Sequence, residues 1–371
     1  MGTIANKEVM ETIAAKFQTE GEIIELVPFG NGYINDTFRI TCELPEGKEI
    51  RYILQKMNNS IFKNPEELME NVMNVTSFLR KKIIAAGGDP NRETLNVIPT
   101  KDGKNYLDKG DECWRMYIFI EGATCYDEVK TPEDFYNSAV SFGNFQRMLA
   151  DYPAETLHET IVNFHNTVSR FADFKKAVDE DVCGRAKEVQ EEIRFILDRE
   201  GDAHIICDAL EGKRIPLRVT HNDTKLNNIM IDNETGKGIC VIDLDTVMPG
   251  SALYDFGDSI RFGASTGAED EVNLDLVSLN LELFDVYTKG FLEGCGGSLT
   301  EEEIRLFPAG AKVITFEQGM RFLTDYLQGD TYYKTSRPGH NLDRSRTQLK
   351  LVADMEAKWE EMKKSVEKYS R

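Results

Sequence analysis

The sequence predicts an α+β chain of two lobes, a small β-rich one first and a large, mainly helical one after it. Three observations predict it. The 371 residues exceed the size at which one hydrophobic core stops growing. The first third reads as strands, a helix and more strands. Beyond Gly122 the apolar residues recur at helical spacing over long stretches.

In the first third, Val9, Met10, Ile13, Ala14 and Phe17 mark a short amphipathic helix over 6–17. Ile23–Phe29, Thr37–Cys42 and Ile50–Gln55 read as strands, separated by Gly30-Asn31-Gly32 and Pro45-Glu46-Gly47. From Pro65 to Ile83, Leu68, Val72, Val75, Leu79 and Ile83 recur every three or four residues. Pro65 stands where a helix begins, and Glu66 and Glu67 suit its positive end. Leu95–Pro99 and Trp114–Ile120 read as two further strands. Glu121-Gly122 then divides the chain into two lobes, 1–120 and 121–371. Helical patterns follow at about 132–150, 185–200, 272–294, 301–327 and 343–368, interrupted by a strand-rich island over Ile215–Asp245. The Glu- and Lys-dense stretch Leu349–Tyr369 reads as a solvated helix face.

Composition narrows the partners. Lys+Arg number 44 against 64 Asp+Glu, a net charge of -20, so the average field repels nucleic acid and anionic membrane. Seven scattered cysteines without a Cys-x-x-Cys pair suit reduced thiols in a cytoplasmic protein better than a disulfide framework or a zinc site. The polar start has no signal-peptide pattern, and no stretch approaches the roughly 20 apolar residues of a membrane span. Oligomeric state has no signature in the sequence.

The island holds the chemistry. His221-Asn222-Asp223 is followed by Asn228, five residues past the Asp. An apolar strand Ile229-Met230-Ile231, a polar turn and a second apolar strand Ile239–Ile242 then lead into Asp243-Leu244-Asp245. Each of these polar residues alone is an ordinary cap or turn residue; their combination and spacing are what carry information. Phosphoryl transfer asks little covalent work of a protein. It needs phosphates and metal held, and an acceptor hydroxyl oriented by a carboxylate.

This pattern resembles the aminoglycoside-phosphotransferase and choline-kinase branch of the protein-kinase-like folds, without the Phe-Gly that follows the metal-binding Asp of protein kinases. The resemblance implies a two-lobed protein-kinase-like fold and an ATP-dependent kinase. Asp223 would orient the acceptor hydroxyl and accept its proton. Asn228 and Asp243 would ligate Mg²⁺, with Asp245 nearby as a second carboxylate, oxygen donors suiting that hard cation. His221 would brace the loop. Gly30-Asn31-Gly32 would cover the phosphates, its glycines permitting close backbone approach. Phe119 and Ile120 on the hinge strand would offer backbone groups to adenine. The third strand departs from the resembled pattern: where a phosphate-binding lysine is usual, the run is Arg51-Tyr52-Ile53-Leu54-Gln55-Lys56. Strand alternation sends Gln55 and Lys56 to opposite faces without saying which one faces ATP.

The runs Pro216–Asn228, Val241–Ser251 and Asp255–Ala264, with Gly319-Met320-Arg321-Phe322 and Asp325-Tyr326-Leu327, are similar to those of the N-acetylhexosamine 1-kinases. That resemblance implies transfer to the anomeric hydroxyl of N-acetylglucosamine or N-acetylgalactosamine. Arg321 would donate a planar fork of hydrogen bonds, Tyr332 a hydroxyl, and Phe262 a stacking face. Tyr33 stands where the resembled family carries His, which leaves the preferred hexosamine open. The alternatives are another small hydroxyl acceptor (a different sugar, an amino alcohol or an aminoglycoside) and an inactive nucleotide-binding module.

Overall fold

The computed structural model describes residues 7–30 and 35–370, so Asn31, Gly32 and Tyr33 lie outside the described residues. The chain forms two compact units. One comprises Met1–Thr124 together with Met230–Thr235 and Ile239–Asp245; the other comprises Cys125–Ile229, Gly236–Gly238 and Thr246–Arg371.

In the first unit, α1 (Lys7–Ala14) precedes a five-stranded antiparallel sheet of β1 (Glu22–Pro28), β2 (Asp36–Glu43), β3 (Glu49–Met57), β4 (Leu107–Asp108) and β5 (Cys113–Ile118), ordered β1-β2-β3-β5-β4. One face is apolar. Ile40, Cys42, Tyr52, Leu54, Trp114 and Met116 close on Met10, Ile13, Ala14 and Phe17 to form the core of this unit. Burying those side chains is its main driving force. α2 (Pro65–Ala85) starts where the sequence places it, with Asn64 as the cap accepting from the Glu67 amide and Pro65 in the first turn.

Leu95–Pro99, expected to be a strand, is instead reduced to a bridge from Val97 to Tyr117. The Ile98 amide reaches the Met116 carbonyl at 2.8 Å and the Asn96 carbonyl takes the Ile118 amide at 3.0 Å. The next donor on that edge, the Thr100 amide, is spent on the Lys104 carbonyl at 2.8 Å, which ends the ladder. A small sheet ordered β6-β8-β9 joins Ala123–Thr124 (β6), Ile229–Asp232 (β8) and Gly238–Val241 (β9), the last two being the apolar strands of the island.

The second unit is mainly helical: α3 (Pro132–Met148), α4 (Thr167–Glu180), α5 (Gln190–Leu197), α6 (Glu200–Glu211), α7 (Ala252–Gly263), α8 (Leu281–Cys295), α9 (Glu301–Arg305), α10 (Phe307–Leu327), α11 (His340–Ala357) and α12 (Trp359–Tyr369). Its strands β7 (Arg218–Thr220) and β10 (Met248–Gly250) pair antiparallel. The expected helix over 301–327 breaks between Arg305 and Phe307, and the one over 343–368 breaks at Lys358. The expected helix over 272–294 begins only at Leu281, because Asn280 caps it by accepting from the Leu283 amide. α4, α6 and α7 are not among the helices read from the sequence. α7 is buried from Ala252 through Arg261, and its polar stripe of Asp255, Asp258 and Ser259 faces a loop of the protein rather than solvent.

α3 and α8 approach backbone to backbone. A Cβ on Gly143 would stand 2.4 Å from the Phe291 carbonyl oxygen, and one on Gly294 would stand 2.3 Å from that of Val140. This contact fixes α3, whose Phe142 and Phe145 rings present their edges to His221 at 5.6 and 6.0 Å.

Candidate active site

The loop from His221 to Asn228 in the second unit hangs from α7. Asp255 accepts the His221 amide at 3.0 Å and the Asn222 amide at 2.8 Å, and also the Gln146 side-chain amide at 2.6 Å. Asp258 accepts the Thr224 amide at 3.0 Å, and the Ser259 hydroxyl donates to the Thr224 carbonyl at 2.8 Å. Burial pushes the Asp255 carboxyl above its ordinary value, against the pull of His221 and those donors. Asn222 has φ 65°, a left-handed conformation in which Asn is one of the few tolerated side chains. Its amide donates to the Thr246 carbonyl at 2.8 Å, and the Thr246 hydroxyl donates back to the His221 carbonyl at 2.7 Å. His221 is fully buried and accepts the Asp223 amide on Nδ1 at 3.3 Å, which is the geometry of a brace.

This scaffold presents Asp223 with its side chain 23% exposed. One carboxylate oxygen meets the Lys225 ammonium at 2.7 Å, and the other accepts from the Asn228 amide at 3.1 Å. The same Asn228 amide donates to the Asp223 carbonyl at 2.8 Å, which leaves Oδ1 of Asn228 as its acceptor end. Burial works to raise the Asp223 carboxyl, but the Lys225 charge, His221 and the Asn228 hydrogen bond outweigh it and hold it below its ordinary value. Asp223, the largest cause, pushes the Lys225 ammonium upward.

The sign of the pH effect follows. A depressed carboxyl stays ionised from neutral pH down past its ordinary range of about 4 and is lost only below it. In Lys225→Met the chief depressing charge is gone while burial remains. The acid limb of the pH–rate profile of Lys225→Met is therefore expected to move to higher pH. An unmoved limb would show that Lys225 does not set the charge of Asp223.

In the first unit, Asp243 stands just past β9 with φ 57°, a strained conformation for a residue other than glycine. Two residues on, Asp245 is gripped by Arg115. NH1 bonds Oδ1 and NH2 bonds Oδ2 at 2.9 Å, while the Asn35 side-chain amide donates to Oδ2 at 2.7 Å. Asp245 is thus engaged as an anchor.

The same network settles the β3 alternation. Gln55, paired in register with Arg115, accepts from its Nε at 3.0 Å and donates to the Thr37 hydroxyl at 3.0 Å. Lys56 lies on the opposite face with Tyr52 and Leu54, where its ammonium meets Glu112 at 2.6 Å beside the Trp114 ring. The residue on the Asp245 side is Gln55. Gly30 has φ 75°, a left-handed turn that favours glycine. The Phe119 amide is spent on the Arg51 carbonyl at 3.0 Å, its ring packs edge-on to Phe29 at 5.6 Å, and Ile120 is buried.

The donor chemistry fits a hard cation. Asp243 in the first unit carries a carboxylate and Asn228 in the second an amide oxygen, the donor type such a cation takes. Among the described residues no group of three or more His, Cys, Asp or Glu forms a metal cage. Mg²⁺ is bound in this manner, by one or two protein oxygens with the rest of its shell from phosphates and water.

A second polar cluster in the helical unit centres on Arg321 of α10. Its guanidinium lies 5.2 Å from the Phe164 ring, 6.0 Å from Tyr332 and 5.8 Å from Tyr333, with the buried Glu317 at 3.9 Å. Glu317 is shared: His165 Nδ1 is 2.8 Å from Oε1, and the Thr167 hydroxyl donates to Oε2 at 2.6 Å. Burial alone would raise the Glu317 carboxyl, but His165, Arg321 and Thr167 lower it on balance. Asp325 hangs the following loop by accepting the amides of Thr331, Tyr332 and Tyr333 at 2.9, 2.8 and 3.0 Å. Tyr332 remains 58% exposed. Phe262 is half-buried on α7 beside Arg261. Arg261 pairs with Asp258 at 2.8 Å and Glu269 at 3.4 Å and feels the Asp223 charge, while Glu269 acts electrostatically on Tyr333. The structure thus groups Arg321 with Tyr332 and adds Phe164 and Tyr333.

Arg115, Lys225, Asp255, Asp258, His165 and Glu317 had no site role in the sequence reading. Three of them leave a trace there. Arg115 is the one charged residue in the strand Cys113–Ile118, and a charge in a buried strand implies a partner. Asp255 and Asp258 interrupt an otherwise apolar segment.

A β-rich unit with an antiparallel sheet, a mainly helical unit and a catalytic loop slung from a buried helix define a two-lobed protein-kinase-like phosphotransferase fold. Residues 25–287 match the phosphotransferase enzyme family named APH, and the chain belongs to that family. Among solved structures it is similar to a microcompartment-associated aminopropanol kinase, at 14% identity over 96% of this chain and 99% of that one, with a TM-score of 0.57. It is similar to an aminoglycoside phosphotransferase from Alicyclobacillus acidocaldarius (11%, 99% and 98%, TM-score 0.60). It is also similar to choline kinase from Cryptosporidium parvum Iowa II (14%, 95% and 96%, TM-score 0.57). At these identities the likeness is one of fold. No helix among the described residues is long and apolar enough to cross a membrane.

Proposed function

We propose that this protein transfers the γ-phosphoryl group of ATP to the anomeric hydroxyl of N-acetylglucosamine or N-acetylgalactosamine, giving the sugar 1-phosphate and ADP. The observation that carries this reading is the arrangement within the helical unit. A carboxylate, Asp223, is aimed by Lys225 and Asn228, and the same unit holds a guanidinium, Arg321, ringed by Phe164, Tyr332 and Tyr333.

The hydroxyl oxygen would bond to the γ-phosphorus as the bond to the ADP oxygen breaks, and its proton would pass to an Asp223 oxygen. A carboxylate held this acidic is a weak base. It suffices because the transition state is loose and an anomeric hydroxyl is more acidic than an ordinary alcohol. Asn228 and Asp243 would hold Mg²⁺, which when bound neutralises charge on the phosphates. Gly30 with Asn31 and Gly32, and the backbone of Phe119 and Ile120, would receive the nucleotide in 1–120. Arg321 and Tyr332, with Phe262 and Tyr33, would receive the sugar.

The Arg321 cluster also bears on acceptor charge. Arg170 lies close enough that, after burial, the Arg321 charge is the next cause lowering its pKa. Two neighbouring guanidiniums, Arg170 beside Asp173 and Arg321 beside Glu317, suit a neutral acceptor better than a cationic amine. ATP, a free sugar and seven cysteines that form no disulfide fit a cytoplasmic setting.

The test is ADP release by the purified protein with ATP and MgCl₂ against a panel of N-acetylglucosamine, N-acetylgalactosamine, glucose, galactose, choline, aminopropanol and spectinomycin. Turnover dependent on an N-acetylhexosamine is expected. Turnover with choline, aminopropanol or spectinomycin and with neither N-acetyl sugar would overturn the acceptor assignment. Nucleotide binding without transfer to any acceptor would leave only a binding module.

A further inference from the structure

The Arg115–Asp245 pair is buried in the first unit, with side-chain exposures of 1% and 5%. Taking both charges out of water costs about as much as their attraction returns, so such a pair seldom adds net stability, and its best-attested use is to fix one arrangement among several. What it fixes here is specific. Asp245 lies two residues beyond Asp243, whose left-handed backbone is strained and persists only where its surroundings over-determine it. Arg115 reaches this turn from β5 with a two-point grip, and its Nε is locked by Gln55, itself tied to Thr37 on β2. The grip extends through Asn35, which donates to Asp245 and accepts the Asn58 amide at 3.0 Å. β2, β3 and β5 therefore converge on one carboxylate.

We propose that Arg115 is a positioning residue, which through Asp245 holds the Asp243 carboxylate where it receives the metal of a metal–nucleotide complex. The inference rests on the kinase reading of the site. Arg115 acts through Asp245 and need not touch phosphate, since its donors already point at Asp245 and Gln55. Gln55 is then part of this clamp, and the clamp stands where a lysine on β3 would otherwise have bound phosphate.

The experiment is calorimetric titration with ADP, with and without MgCl₂, alongside thermal melting, on wild type, Arg115→Lys and the apolar pair Arg115→Met/Asp245→Leu. Arg115→Lys keeps the charge and the Asp245 carboxylate but loses the two-point grip. The apolar pair removes both charges together, a change that buried pairs tolerate without loss of stability. Both variants are expected to bind metal-free ADP like wild type and to lose at least tenfold of the Mg²⁺-dependent gain in affinity. A folded variant of either kind that keeps the wild-type gain overturns the proposal. So does a wild type with no gain, or failure of both variants to fold, which would make the pair structural. If wild type binds no ADP at all, with or without Mg²⁺, the kinase reading itself falls. No acceptor enters the titration, so the two failures are told apart.

Discussion

Asp223→Asn is expected to lower kcat by about 10³-fold, within the range a positioned general base contributes, while ADP affinity stays near that of wild type. The substitution keeps the shape of the side chain and an oxygen for the Asn228 amide, but removes the charge that faces Lys225 at 2.7 Å and the only carboxylate the loop presents. The ammonium of Lys225, one-third exposed, would lose its partner at a cost of about 1 kcal/mol, so the protein should still fold. Transfer rates from ADP release, read beside calorimetric ADP binding and a melting curve, check this. Turnover within a few-fold of wild type would remove Asp223 from the role of base.

Arg321→Lys is expected to reduce kcat/KM for an N-acetylhexosamine by about 100-fold, the equivalent of losing about 2.7 kcal/mol of hydrogen bonding and stacking, with KM for ATP unchanged. Lysine keeps the charge opposite Glu317 but has no planar fork to lie among the rings of Phe164, Tyr332 and Tyr333. Steady-state kinetics with each substrate varied separates the two constants. A rise in KM for ATP rather than the sugar would place Arg321 outside the acceptor site.

Much of this architecture is legible in the sequence because its signals are local. β1 to β3 alternate between Gly- and Pro-bearing turns, and α2 announces itself through Pro65, Glu66, Glu67 and a three-to-four repeat. The loop from His221 to Asn228 is legible for the same reason, since its polar residues lie within eight positions. What is not legible depends on partners distant in the chain or on sheet register. α7 turns its polar face of Asp255, Asp258 and Ser259 not to solvent but to a loop some thirty residues earlier in the chain. The face of Gln55 follows from its pairing with Arg115, sixty residues away, and Arg115 in turn finds Asp245 130 residues on. Leu95–Pro99 has the composition of a strand and only the pairing of a bridge, because the next donor on its β5 side, the Thr100 amide, turns to Lys104.

The central claim is that phosphate goes to the anomeric oxygen of an N-acetylhexosamine. The direct measurement is ³¹P and ¹H NMR of the product formed from ATP, MgCl₂ and N-acetylglucosamine or N-acetylgalactosamine by the purified protein. Phosphorus coupled to the anomeric proton, in equal amount to the ADP formed, is the predicted result. Phosphorus coupled to the protons at carbon 6, or ADP formed without any sugar phosphate, would contradict it.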